Sequence, residues 1–213
     1  VFATVVATVR TSLVGRIALG ALAGVWIALA ALLTAAHFGG SPFVVPLMFA
    51  LPLITVGLLG LLSPSFRAAL SGIPSAYIIG INVFRVIGVL MLLAAAQGQL
   101  AGPFPYFAGT GDFITGLFAM QTARLAQDVP LNNPRILAWN AFGMLDLLLA
   151  VTLGILSQPN SPTQLIHAGV GSGLITTLPW SLIPLVLVPT FLIGHMVIFA
   201  RALGQRQENA VTT

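Results

Sequence analysis

From residue 13 to residue 203 the chain alternates between runs of about 20 mostly apolar residues and short clusters rich in Pro, Gly, Ser and Asn. A helix of about 20 residues spans the roughly 30 Å hydrocarbon core of a bilayer. No other feature constrains the fold as much, because lipid offers no partner to a backbone N–H or C=O, and each must be satisfied within its own segment. Charged residues make up only 6% of the 213 positions, against about a quarter in soluble domains. The sequence therefore predicts an all-α integral membrane protein, a single transmembrane domain over 1–213 built as a bundle of about six transmembrane helices.

The expected spans are 13–37, 43–62, 76–97, 107–126, 136–156 and 179–203. Between the second and third, "SFRAAL" has the pattern of a short amphipathic turn lying in the membrane interface. Arg10 and Arg16 stand at the start of the first span, Arg67 lies between the second and third, Arg124 and Arg135 flank the fourth loop, and Arg201 and Arg206 close the sixth span. The connections after spans one, three and five carry no arginine. By the positive-inside rule both termini are expected to be cytoplasmic, the membrane being a plasma membrane of the bacterial inner-membrane type. The first apolar stretch, Val1 to Val9, is short and its positive charges follow it, so no cleavable signal peptide is expected. Pro42, Pro46 and Pro52 are spaced much as Pro179, Pro184 and Pro189 are; the two trios mark either a repeat or tolerated helix kinks.

Composition also excludes chemistry. There is no lysine, which removes Schiff-base cofactors, and no cysteine, which removes disulfide exchange and thiolate metal sites. The positive charge rests on a few loop arginines, which suits a lipid bilayer as partner and not a nucleic acid. His37 and His167 are both expected at the outer side without H-x-x-x-H spacing, so neither a metal nor any other cofactor is expected.

Once the arginines at the span ends and in the loops are set aside, three charged residues remain within the hydrocarbon layer: Arg85, Asp112 and Asp146. Each costs at least about 2.5 kcal/mol at mid-bilayer unless paired or hydrated. Counted from the nearest cytoplasmic boundary at 1.5 Å per residue, all three lie about 16 to 18 Å deep, at one level. Asn82, Thr115 and Asn140 add polarity to the same helices, while Gly88, Gly116 and Gly143 allow close approach. One reading is a buried ion pair that fixes helix register. The other starts from the second carboxylate, which leaves a net charge of −1 to be met by a proton or cation and makes Arg85, Asp112, Asp146, Asn82, Asn140 and Thr115 a substrate- or ion-binding site. His195, counted as about 9 Å from the cytoplasmic side, is either a proton relay to that layer or a hydrogen-bonded core histidine.

The string Gly109-Thr110-Gly111-Asp112 resembles the G-x-G-D signature of intramembrane aspartyl proteases, the presenilin and prepilin-peptidase group. That resemblance implies catalysis by Asp112 with Asp146 as its partner, two carboxylates sharing one proton around a water. The chain departs from the family pattern, because no acidic residue precedes Asp112 and the presenilin-type P-A-L string is missing. A serine dyad is not expected, since Ser172 in "GVGSG" belongs to an outer loop or re-entrant turn far from His195.

The leading expectation is thus a small transporter or permeation protein for a small solute, proton or cation. A G-x-G-D-like peptidase is the alternative, and a non-catalytic subunit or assembly factor of a homo-oligomer or larger membrane complex is the third reading. Pro103, Pro105, Gly109 and Gly111 predict a broken or late-starting helix ahead of Asp112, of the kind that lines transporter cavities.

Overall fold

The computed structural model describes the backbone of residues 2–36 and 43–211, with side chains for 17, 20–36 and 43–205. His37 and Pro42 lie outside the described residues, as do the side chains of Arg10, Arg16 and Arg206. All regular structure among the described residues is helical. After α1 (Phe2–Ala35) and α2 (Val44–Leu62) comes the short α3 (Pro64–Ser71). A single rod follows, made of α4 (Ser75–Gly80), a 3-10 stretch (Ile81–Gly88) and α5 (Val89–Ala96). Then come α6 (Phe104–Asp128), α7 (Pro134–Leu156) and a last rod in which a π-helical turn (Ile183–Leu187) runs into α8 (Val188–Val211).

Among the described residues four of these rods are long and apolar enough to cross a membrane: Val44–Leu62, Ser75–Ala96, Pro134–Leu156 and Ile183–Gln205. At 25 residues α6 has the length but carries Gly109, Gly111, Asp112, Gln121 and Arg124, which dilute its hydropathy. In α1 the apolar stretch whose side chains are described runs over Gly20–Ala35.

We call the end bearing the 157–182 connection the upper end. At the lower end α3 is folded back by its own polar groups. Ser63 Oγ accepts from the Phe66 amide at 3.2 Å with Pro64 in the first turn, while Arg67 caps the carbonyls of Gly60 and Leu61 at 3.0 and 2.9 Å. Arg201 of α8 then donates to Leu70 O at 2.7 Å, Ile73 O at 2.9 Å and Ser75 Oγ at 2.7 Å, tying the last helix to α3 and the start of α4. The "SFRAAL" piece is thus a short helix at the arginine-bearing end of the bundle.

Helix breaks occur away from the expected place. α6 is continuous from Phe104 to Asp128, because Pro103 and Pro105 fall at its cap and first turn, where a missing N–H leaves no bond unmade. The expected break before Asp112 is absent. The irregular turns lie instead at Ile81–Gly88 and at Ile183–Leu187. In the first, Asn82 Nδ2 donates to Ile78 O and Ile79 O at 3.1 and 3.2 Å and so competes with the regular ladder. In the second, Pro189 has no N–H to offer Leu185 O four residues back, and that freed carbonyl accepts from Trp26 Nε1 of α1 at 2.8 Å.

The centre is formed by the α4–α5 rod, α6, α7 and α8. A lower apolar cluster joins Ile79, Ala119, Ile136, Trp139 and Ile198, and an upper one joins Met91, Leu100, Phe104, Ala108 and Ile175. Between these layers lie the charges. On the upper side "GVGSG" is a folded cap on α7: Ser172 Oγ donates to Gly154 O at 2.7 Å, and Gly171, at φ +51°, abuts Ser157 O.

Candidate functional site

The 3-10 stretch explains how Arg85 reaches the centre. Three residues per turn stack Asn82, Arg85 and Gly88 along one buried face, which the rod presents to α6. Arg85 is 1% exposed. Its Nε donates to Asp112 Oδ1 and its Nη2 to Asp146 Oδ2, both at 2.6 Å. Its Nη1 donates to Gly143 O at 3.1 Å and meets His195 Nε2 at 3.1 Å. Phe191, one turn before His195, places its ring 5.9 Å from the guanidinium carbon. A single arginine therefore joins α6, α7 and α8 through all three of its nitrogens.

The histidine is fixed by the same logic. Because the guanidinium can only donate, Nε2 of His195 accepts, and Nδ1 carries the proton toward Asn140 Oδ1 at 2.8 Å. Asn140 Nδ2 in turn donates to His195 O at 3.0 Å. Trp139 lies with its ring centroid 5.2 Å from that of the imidazole and donates from Nε1 to Thr115 O at 3.1 Å. The bonding pattern is that of a neutral imidazole, so the layer carries one positive and two negative formal charges.

Glycines make the layer possible. A methyl at Gly88 would sit 2.5 Å from Asp112 Cβ, one at Gly109 would meet Gly88 O at 2.8 Å, and one at Gly143 would meet His195 Cε1 at 2.6 Å. One at Gly111 would overlap the Asp146 carboxylate. Both glycines of the G-x-G-D string are thus filled by neighbours of the cluster: Gly109 by the backbone of the Arg85 rod and Gly111 by Asp146. Each carboxylate is bonded to its own nitrogen of Arg85, and no hydrogen bond joins the two among the described residues, so the geometry is not that of the peptidase dyad the string resembles.

Of the sequence-predicted residues, Arg85, Asp112, Asp146, Asn140 and His195 form one bonded network. Asn82 and Thr115 adjoin it without joining it: Asn82 Oδ1 and Thr115 Oγ1 are buried and make no hydrogen bond. His195 sits in direct contact with Arg85 and not several ångströms toward the lower end. Counting from Arg201 misplaced it, because α8 continues to Val211 and Arg201 is turned inward onto α3. His167 is exposed on the upper connection, and no group of three or more potential metal ligands occurs among the described residues. Sequence reasoning missed Phe191 and the Gly143 carbonyl, although Phe191 precedes His195 by one helical turn and so shares its face.

Two cavities border the layer among the described residues, a small one of about 10 Å³ beside Arg85, Asp112 and Phe191 and a larger one on the upper side. The larger, of about 70 Å³, is bordered by Asp112 at its inner end and by Gln158, Ser161, Thr163 and Thr176 near the upper connection, with mostly apolar side chains between. That volume holds a few water molecules.

Fold and site together define an all-helical, membrane-compatible protein with a buried Arg–Asp salt-bridge cluster at its centre. A family model described as a domain of unknown function (DUF8737) matches residues 42–203, and the chain belongs to that family. The matched segment contains every residue of the cluster and excludes α1. No curated protein and no solved structure matches the chain.

Proposed function

We propose that this protein is a small transporter or permeation protein of a plasma membrane of the bacterial inner-membrane type, crossing it six times with both termini cytoplasmic. In this reading Arg85, Asp112 and Asp146 form the mid-membrane site for a proton, a cation or a small polar solute. Asn140 and His195 complete the polar layer on its lower side, with Asn82 and Thr115 beside it. The observation that carries the reading is the opening from the upper connection to Asp112, which gives a buried layer of net charge −1 a route to one side. The gathering of Arg67, Arg124, Arg135 and Arg201 at the lower end supports the topology.

A second reading, a non-catalytic subunit or assembly factor whose charges hold helices together, draws on the saturation of Arg85, all of whose nitrogens are bonded. Reconstitution into liposomes loaded with a pH dye separates the two. With an imposed cation gradient, proton flux is expected from the native chain and a loss of at least tenfold from Asp112→Asn with Asp146→Asn. Flux unchanged by the double substitution sinks the transport reading and leaves the helix-holding one.

A further inference from the structure

A groove of about 420 Å³ runs between α6 and α7 in the lower half of the bundle. Ile114, Phe118 and Leu125 line it from α6, and Ala138, Trp139 and Phe142 from α7. Together with Gln121 and Arg135 these residues recur every three or four positions, so the groove follows one continuous face of each helix. From Leu125 to Ile114 is eleven residues of helix, about 16 Å, close to half of the roughly 30 Å hydrocarbon core of a bilayer. Ile114, Phe118 and Phe142 stay exposed along it, so the groove is open to the side. Its floor is tied by the Trp139 Nε1 bond to Thr115 O at 3.1 Å.

Polar groups gather at the lower end. Gly143 faces Thr115 across the helix pair. Arg135 lies eight residues below the first and Gln121 six below the second, so the two side chains come within about 3 Å of one level. Both are exposed, and neither the Arg135 guanidinium nor the Gln121 amide has a hydrogen-bond or ion-pair partner among the described residues. No acidic residue lines the groove.

From these features we infer that the groove is a site for an anionic phospholipid of the lower leaflet. The phosphate accepts from Arg135 and Gln121, and one acyl chain lies between Phe118 and Phe142 over Trp139. Length and charge point to the same occupant: the apolar face is one leaflet long, and the donors stand at its headgroup end. A zwitterionic lipid fills the groove equally well, but its own cation competes with Arg135 for the phosphate. In the proposed topology the lower leaflet is the cytoplasmic one, whose anionic lipids attract arginines. The inference rests on that placement in a bilayer and is independent of transport through the charged layer.

Fluorescence quenching tests it on the full chain, because Trp26→Phe with Trp180→Phe leaves Trp139 as the one tryptophan. The protein is placed in nanodiscs of phosphatidylcholine with a rising fraction of phosphatidylglycerol or phosphatidylcholine carrying brominated chains. Half-maximal quenching is expected at about a fivefold lower fraction of the anionic lipid, the worth of one arginine beside an anionic headgroup. Arg135→Gln is expected to abolish that preference, and Arg124→Gln, exposed at the same end but outside the groove, to leave it intact. Ala138→Phe keeps both donors and is expected to lower the maximal quenching by filling the groove beside Trp139. Equal half-points for the two lipids overturn the inference, as does a preference that survives Arg135→Gln or is lost equally in Arg124→Gln. An unchanged maximum in Ala138→Phe also overturns it. So does reversal of quenching by glycerol 3-phosphate, since the phosphate would then bind without its chain.

Discussion

The glycines of this chain fall into two groups. In the central rods, Gly88, Gly109, Gly111, Gly116 and Gly143 each have a neighbouring atom where a side chain would begin, whereas Gly20, Gly24, Gly57 and Gly60 of α1 and α2 have nothing within 4 Å. The same residue type therefore does two things. At the centre its absent side chain is replaced by another helix's backbone or by a charged group, which lets closely packed helices enclose an arginine and two carboxylates. At the periphery it borders open space, and large apolar residues such as Leu47, Leu51, Ile54 and Leu58 point outward around it. The centre is a packed polar layer; α1 and α2 form a loosely attached flank.

The hardest blow to the centre is Arg85→Met. It leaves two carboxylates buried without their counter-charge, for an expected loss of about 3 to 5 kcal/mol. Thermal unfolding in detergent, followed by the recovery of monodisperse protein, reads this against Arg67→Met, at an exposed position of α3. Combining Arg85→Met with Asp112→Asn and Asp146→Asn is expected to return much of the lost stability, because no buried charge then lacks a partner. A triple variant less stable than Arg85→Met alone would refute the account of the layer as a charge-balanced unit.

Next in size is Gly111→Ala. The added methyl meets the Asp146 carboxylate, so α6 and α7 must part or Asp146 must leave Arg85; overpacking of this kind costs about 1 to 3 kcal/mol. The same unfolding assay checks it. A change without effect would mean that α6 and α7 have room at this point, and the glycine account of the G-x-G-D string would fall.

These residues also show what could be read from the sequence. Hydropathy marked the apolar stretches, and counting residues from the expected boundaries at Pro74, Arg124 and Arg135 brought Arg85, Asp112 and Asp146 to one level, where they meet. The count worked because Pro74, Arg124 and Arg135 lie close to the ends of the helices they mark. It failed for His195, whose reference, Arg201, lies within a helix that continues for ten further residues. The G-x-G-D spelling carried two meanings that a string cannot separate, a catalytic turn and a pair of helix contacts; deciding needed the position of Asp146, which lies 34 residues on in the chain. The three-residue spacing of Asn82, Arg85 and Gly88 was visible as a pattern. That it stood for 3-10 winding was not, because an α-helix also places residues three apart on one face.

At the flank, effects become smaller. Trp26→Phe removes the donor that satisfies Leu185 O beside Pro189 and is expected to cost about 1 kcal/mol. The cost is expected to appear as faster hydrogen exchange of the α1 amides around Trp26, with the Arg85 layer unaffected. If instead the layer loses stability as it does in Gly111→Ala, then α1 is part of the centre and the division into two regions is wrong.

The smallest effect has the opposite sign. Gly57→Ala in α2 meets no atom within 4 Å, so nothing opposes the gain from restricting a helical glycine, about 0.5 to 1 kcal/mol in stabilisation. A stabilising Gly57→Ala beside a damaging Gly111→Ala would fit the open and filled glycine environments, the same methyl group acting in both directions within one chain. A Gly57→Ala that destabilises would mean that α2 presses against something at that position in the membrane, a second copy or a partner subunit, and the flank would then be an interface in waiting. Cross-linking through a cysteine placed at Gly57, in a chain that has no other cysteine, distinguishes the two, because a lipid-facing site leaves the chain monomeric while an interface traps a defined dimer or heteromer.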